Sequence, residues 1–230
     1  MKLKPIAFLA SVLFIAASCS NEEKKPEAKA TLPPASFDVL MIRHPVASFE
    51  AWKPHYFGHD SVRKNYGLTH YHIGVSIEDT NQIIVFNKIN DAVKVKEFVA
   101  LPELKDVMQK AGVSGSPVFD YVHTIRSDST PPTIKDRLMI KHKVKDFDVW
   151  LKVFDAEGMD TRRSFGIIDR GLARGMDDPN MVYIIFAIED WAKANVRMNS
   201  EEIKKIMTDA GVEGTPVFIK YKLIDSNPFD

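Results

Sequence analysis

The chain has 230 residues, 31 basic and 31 acidic side chains, a formal net charge of zero and one cysteine. Acidic and basic residues are interspersed with no long run of either sign, so the phosphate-neutralising surface that nucleic-acid binding requires is missing. A single cysteine also excludes an intramolecular disulfide.

In chain order, Lys2 and Lys4 precede an apolar run over residues 6–17, and Ala16, Ala17 and Ser18 stand directly before Cys19. That pattern predicts an export signal over residues 1–18. Its apolar core of about a dozen residues is too short for a permanent transmembrane helix, which needs about twenty. The small residues ahead of Cys19 resemble the lipobox of bacterial lipoproteins, with Ala16 where Leu is usual and Ile15 supplying the bulky contact. The resemblance implies lipidation of Cys19, a membrane anchor and a place in the bacterial cell envelope, at the outer membrane. Residues 19–36 are rich in Glu, Lys, Pro, Ala and Ser and bury too little apolar surface to offset their ordering entropy, so a flexible tether is expected.

The remaining ~190 residues, enough for one large or two small domains, contain an internal repeat. Leu40-Met41-Ile42-Arg43-His44 matches Leu138-Met139-Ile140-Lys141-His142, and Phe49-Glu50-Ala51-Trp52 matches Phe147-Asp148-Val149-Trp150. Arg63-Lys64-Asn65-Tyr66-Gly67 matches Arg162-Arg163-Ser164-Phe165-Gly166, and Ala111-Gly112-Val113 with Pro117-Val118-Phe119 matches Ala210-Gly211-Val212 with Pro216-Val217-Phe218. So many matches in one register mark a duplicated supersecondary unit. The expected division is residues 37–126, a linker at 127–135, and residues 136–226.

Each copy reads strand, helix, strand, strand, helix, strand. Residues 38–44 and 137–142 are β-rich, and Ser48 and Asp146 are expected N-caps of the helices that follow. Phe49, Trp52 and Tyr56, like Phe147, Trp150 and Phe154, share one helical face and belong to the core. Pro54 is expected to bend or break the first helix. Strands are predicted over 68–77 and 82–89, and over 172–176 and 181–188. Single helices are predicted over about 92–111 and 191–210, each ended by a glycine, and closing strands follow Pro117 and Pro216. Gly67 and Gly166 mark backbone positions needing unusual angles.

The order is α+β, ferredoxin-like βαββαβ, in two tandem repeats. One such unit leaves a sheet face bare, which the second copy covers. The Phe-Glu-Ala-Trp and Phe-Asp-Val-Trp helix starts with the Ala-Gly-Val-x-Gly-x-Pro blocks resemble the dimeric α+β barrel superfamily, which includes antibiotic-biosynthesis-monooxygenase-like proteins. The resemblance implies an intrachain dimeric α+β barrel, a monomeric pseudo-dimer. It also implies two enzymatic alternatives, cofactor-free monooxygenation and haem handling. Their characteristic Asn, Trp and His set cannot be placed on this chain, so catalytic residues are unassigned and no cofactor is required. The reading favoured here is a non-catalytic small-ligand-binding or interaction module.

Six of the seven histidines lie in the first copy. His55 and His59 would share one side of an unbroken helix, and His70 and His72 one face of a strand, spacings that can hold zinc or copper. His-mediated metal binding is therefore a further alternative. His44 and His142, the one pair the repeat preserves, are expected at the ends of the first strands, where each could face a ligand pocket or satisfy a backbone carbonyl. Arg43 and Lys141 beside them would attract an anion, on the opposite face.

Overall fold

The computed structural model describes residues 29–226; the export signal, Cys19 and the first part of the expected tether lie outside them. The first repeat contains β1 (Pro34–Pro45), α1 (Phe49–Gly58), α2 (Asp60–Asn65), β2 (Leu68–Ser76), β3 (Gln82–Ile89), α3 (Ala92–Val99), α4 (Pro102–Lys110) and β4 (Val118–Ser127). The second contains β5 (Asp136–Val144), α5 (Phe147–Glu157), α6 (Met159–Ser164), β6 (Ile167–Gly175), β7 (Met181–Ile188), α7 (Trp191–Met198), α8 (Glu201–Asp209) and β8 (Val212–Ser226). No helix among the described residues is long and apolar enough to cross a membrane.

All eight strands pair antiparallel into one closed barrel, in the order β1-β3-β2-β8-β5-β7-β6-β4. Each repeat supplies a four-stranded ferredoxin-like sheet, and the seams β2–β8 and β4–β6 remove the edges that each sheet would otherwise leave unpaired. Side chains alternate between two compartments. Val39, Met41, Phe86, Val122, Met139, Tyr183 and Tyr221 fill the lumen. Leu138, Ile184 and Phe186 pack outward against Trp150, and Ile83 and Val85 against Trp52.

Local chemistry explains the boundaries. Ser48 and Asp146 cap α1 and α5 by accepting from the amides of Ala51 and Val149. Pro54 lies inside α1 without ending it; the helix stops at Gly58 instead, with His59 as its C-cap. The helices expected over 92–111 and 191–210 are each two. Pro102 begins α4 at a first-turn position, where its missing amide costs nothing, and Ser200 caps α8. β6 begins at Ile167, five residues earlier than the pattern indicated, and β8 continues through Pro216. β1 begins within the stretch expected as tether, with Pro34 opposite Arg126. Just before it, Lys29 Nζ donates to the carbonyls of Ala156, at 2.6 Å, and Glu157.

Candidate functional site

Each repeat holds a cleft between the outer face of its sheet and its helices. In the second repeat β5 directs Leu138, Ile140 and His142 outward, and the capped start of α5 sets Trp150 beneath His142. Their rings meet at 5.5 Å between centroids, inclined 61°, and Phe154 stacks behind Trp150 at 5.1 Å. Ile184, Phe186 and Phe218 form the sheet wall; Met198, Ile203, Ile206 and Met207 form the helical wall. The space enclosed is about 100 Å³. α8 contributes no fully buried residue, so this wall is the most loosely held part of the cleft.

The charged groups of this cleft satisfy one another. Arg162 donates to both carboxylate oxygens of Asp169, at 2.8 and 2.6 Å, and to Phe154 O at 3.0 Å and Glu157 at 3.2 Å. Arg197 pairs with Glu157 at 2.8 Å and Glu202 at 2.9 Å. Arg197 Nε is left without a hydrogen-bond partner among the described residues, and so is the whole ring of His142. His142 is 5% exposed, and neither ring nitrogen has a hydrogen-bond partner among the described residues. Burial lowers its pKa to about 4, so at neutral pH the ring is uncharged and presents one donor and one acceptor.

The first-repeat cleft, about 60 Å³, is lined by His44, Trp52, His55, Tyr56, His59 and Arg63 among others. His44 contacts Pro45 O at 3.4 Å, and burial lowers its pKa to about 4 as well. Tyr56 replaces Phe154, and its hydroxyl lies 2.8 Å from Asn87 Oδ1 and 3.0 Å from His70 Nδ1; His70 Nε2 in turn meets Asp225 Oδ2 at 2.9 Å across the seam between repeats. His70 is thereby occupied in joining the two copies.

His70 and His72 do not share a face. A β-bulge at this point places His70 opposite Asn87 and His72 opposite Phe86, so His70 points toward the helices and His72 into the lumen. His55 and His59 both line the first cleft, with the His59 ring against Phe98. Among the described residues no three His, Cys, Asp or Glu side chains gather around a metal-sized space.

Arg43 and Lys141 do point into the lumen, but the chain supplies its own anion. Asp120, 6% exposed, accepts from Lys141 Nζ at 2.6 Å and Tyr183 Oη at 3.0 Å, and pairs with Arg43 at 3.4 Å. Arg162 and Asp169 were not legible as site residues, although the arginine is one of the repeat-matched positions. Its importance depends on Asp169, whose first-copy counterpart is His70.

No protein-family model matches the chain, and no curated protein matches it. Solved structures do match in fold. An anthrone oxidase-like protein superposes with a TM-score of 0.54 at 11% identity, covering 85% of this chain and 96% of that one. A monooxygenase candidate from Fusobacterium nucleatum gives 0.52 at 11% identity, covering 83% and 94%. A chlorite dismutase candidate gives 0.50 at 13% identity, covering 83% and 96%. The chain thus has the dimeric α+β barrel architecture with ferredoxin-like halves; at these identities the likeness concerns fold alone.

Proposed function

We propose that this chain is a ligand-binding module of the bacterial cell envelope, tethered through lipid on Cys19, whose second-repeat cleft takes a neutral, single-ring compound bearing one hydroxyl or carbonyl group. The observation that carries this reading is His142, a buried neutral imidazole with both nitrogens unpartnered among the described residues, at the wall of a cleft that is otherwise apolar apart from the mutually paired Glu157, Arg162 and Arg197. Leaving a buried polar group unsatisfied costs about 1–3 kcal/mol, and a ligand hydroxyl would recover it. An apolar cavity of about 150 Å³ takes benzene, so a cleft of this size suits one ring once α8 yields slightly. It is too small for haem without large movement of the helices. Because Arg162 and Arg197 are already paired, an anionic ligand gains little there.

The supporting experiment is titration of the lipid-free chain with p-cresol, followed by quenching of Trp150 fluorescence, alongside native mass spectrometry of protein purified from its host envelope. Saturable quenching, weakened roughly tenfold in His142→Leu, is expected. Absence of quenching together with a mass equal to the bare chain would overturn the reading. A second reading, oxygenation of the bound ring, draws on the names of the anthrone oxidase-like and monooxygenase-candidate neighbours. It requires oxygen consumption when the same complex is exposed to air, with His142 acting as base.

A further inference from the structure

The lumen contains a space of its own, about 80 Å³, separate from both clefts. Its walls are apolar in the middle, with Val39, Met41, Phe86 and Ile185, and polar toward the end where the segment joining the repeats passes. Arg137 lies there. It is 4% exposed, yet among the described residues its Nη1 donates only to backbone carbonyls, those of Ile134 and Asp136. The adjacent carboxylates are engaged elsewhere. Asp136 accepts from Trp191 Nε1 at 2.8 Å and pairs with Lys222 at 3.7 Å, and Asp128 is held by Arg170. Arg137 forms no ion pair with a carboxylate among the described residues.

The Asp136 and Asp128 carboxylates lie near enough to act on Arg137 through space, but neither touches it, and burying a cation with no carboxylate in contact is costly. The repeat shows what packing alone needs, because the register that pairs Leu40 with Leu138 puts Val39 in the position of Arg137. The same comparison sets Tyr71 against Arg170, His72 against Gly171 and Val122 against Tyr221. The polar character of this end therefore arises where the two copies have diverged. His72 adds a second unsatisfied group, since its Nδ1 is buried without a partner among the described residues while its ring stacks on Tyr71 at 3.7 Å. Burial and the surrounding cations lower its pKa to about 3, so it remains neutral.

We propose that the lumen is a second binding site, taking a small organic carboxylate whose head pairs with the Arg137 guanidinium and whose apolar body lies along Val39, Met41 and Phe86. A planar guanidinium matches a carboxylate with two parallel hydrogen bonds, and a desolvated setting strengthens them. Entry is beside Thr130 and Pro132, which line the space from the joining segment. Arg170 fastens that segment through Thr130 O at 2.6 Å and Thr130 Oγ1 at 3.1 Å, so it must release for a ligand to pass.

The test uses the whole chain from residue 19 onward, with Cys19→Ser to prevent lipidation. Sodium benzoate and sodium hexanoate are titrated while the arginine side-chain Nε–H signals are followed by NMR and thermal unfolding is recorded; benzamide and sodium phosphate are the controls. A saturable shift of the Arg137 signal and a rise in Tm with at least one carboxylate, both missing with benzamide, are expected. Arg137→Met should weaken binding roughly tenfold or more, whereas His142→Leu should leave it unchanged, which separates this site from the cleft. Failure of both carboxylates on the unsubstituted protein overturns the proposal, as does equal binding of benzamide. Tight binding of phosphate with no carboxylate response overturns it too, since the apolar body then has no role. Should Arg137→Met fail to fold, the unsubstituted protein's arginine signals decide the matter.

Discussion

His142 lies against Trp150 at 5.5 Å and 61°, and the first repeat reproduces the contact between His44 and Trp52 at 5.9 Å and 59°. In both copies an aromatic ring fills the space beneath a histidine that water does not reach. Each pKa falls to about 4 because burial penalises the imidazolium.

The sign of the pH dependence follows. The unfolded chain binds these protons near pH 6.5 and the folded chain near 4, so the stability associated with neutral His44 and His142 is complete above about 6.5. It is lost progressively as pH falls toward 4. Urea unfolding at pH 7.5 and 5.0 should show a drop on the order of 2–4 kcal/mol from this pair at the lower pH, with His72, also held neutral by burial, adding in the same direction. His142→Leu, close in volume and unable to protonate, should flatten the slope and exceed the unsubstituted protein in stability at pH 5.0. An unchanged slope would mean that this ring is not the source.

Among the described residues Asp169 is the one partner of Arg162 that engages two guanidinium nitrogens, and both side chains are about 4% exposed. Asp169→Ala removes the two-pronged partner of a buried cation and leaves it only the single carboxylate contact with Glu157 at 3.2 Å, so it should cost about 3 kcal/mol. The change beside Arg63 in the first repeat, Asp60→Ala, should cost less, about 1 kcal/mol, because Asp60 is 31% exposed and meets Arg63 through one contact at 3.1 Å and the exposed Lys64 through another at 2.9 Å. Denaturant midpoints of the two variants measure the difference.

Gly166 adopts φ 70°, and a Cβ there would meet the Asp190 backbone nitrogen at 2.9 Å; Gly67 repeats this with φ 77° and the Asp91 nitrogen at 2.9 Å. Strain and collision act together at a turn that also fixes the cap of the following helix. Gly166→Ala should therefore destabilise by about 1–3 kcal/mol, whereas Gly58→Ala, with open space around it, should be neutral or slightly stabilising. Thermal unfolding of the two variants gives the comparison.

The second repeat alone, residues 136–226, would expose the lumen face of its sheet and the free edges of β6 and β8. It should self-associate into a dimer that rebuilds the barrel, at a molecular mass twice its own by sedimentation. A stable monomer would show that the seams are dispensable.

Much of the architecture was legible because it is local and repeated. The limits of β3 and β7, the caps Ser48 and Asp146 and the strained glycines all follow from residues adjacent in sequence, where hydrogen-bonding capacity and backbone sterics act at short range. Duplication then implied the barrel, because each sheet had one face to cover. Other features depended on long-range pairing. Whether His70 and His72 share a face was decided by a bulge against β3, which a pattern of alternating residues cannot reveal. Whether Arg43 and Lys141 are free was decided by Asp120, distant in sequence and adjacent in the lumen. Arg137 carries no local signal at all. What distinguishes it is the lack of a contacting carboxylate among the described residues, and the set of carboxylates within reach of a buried cation exists only once the barrel has closed.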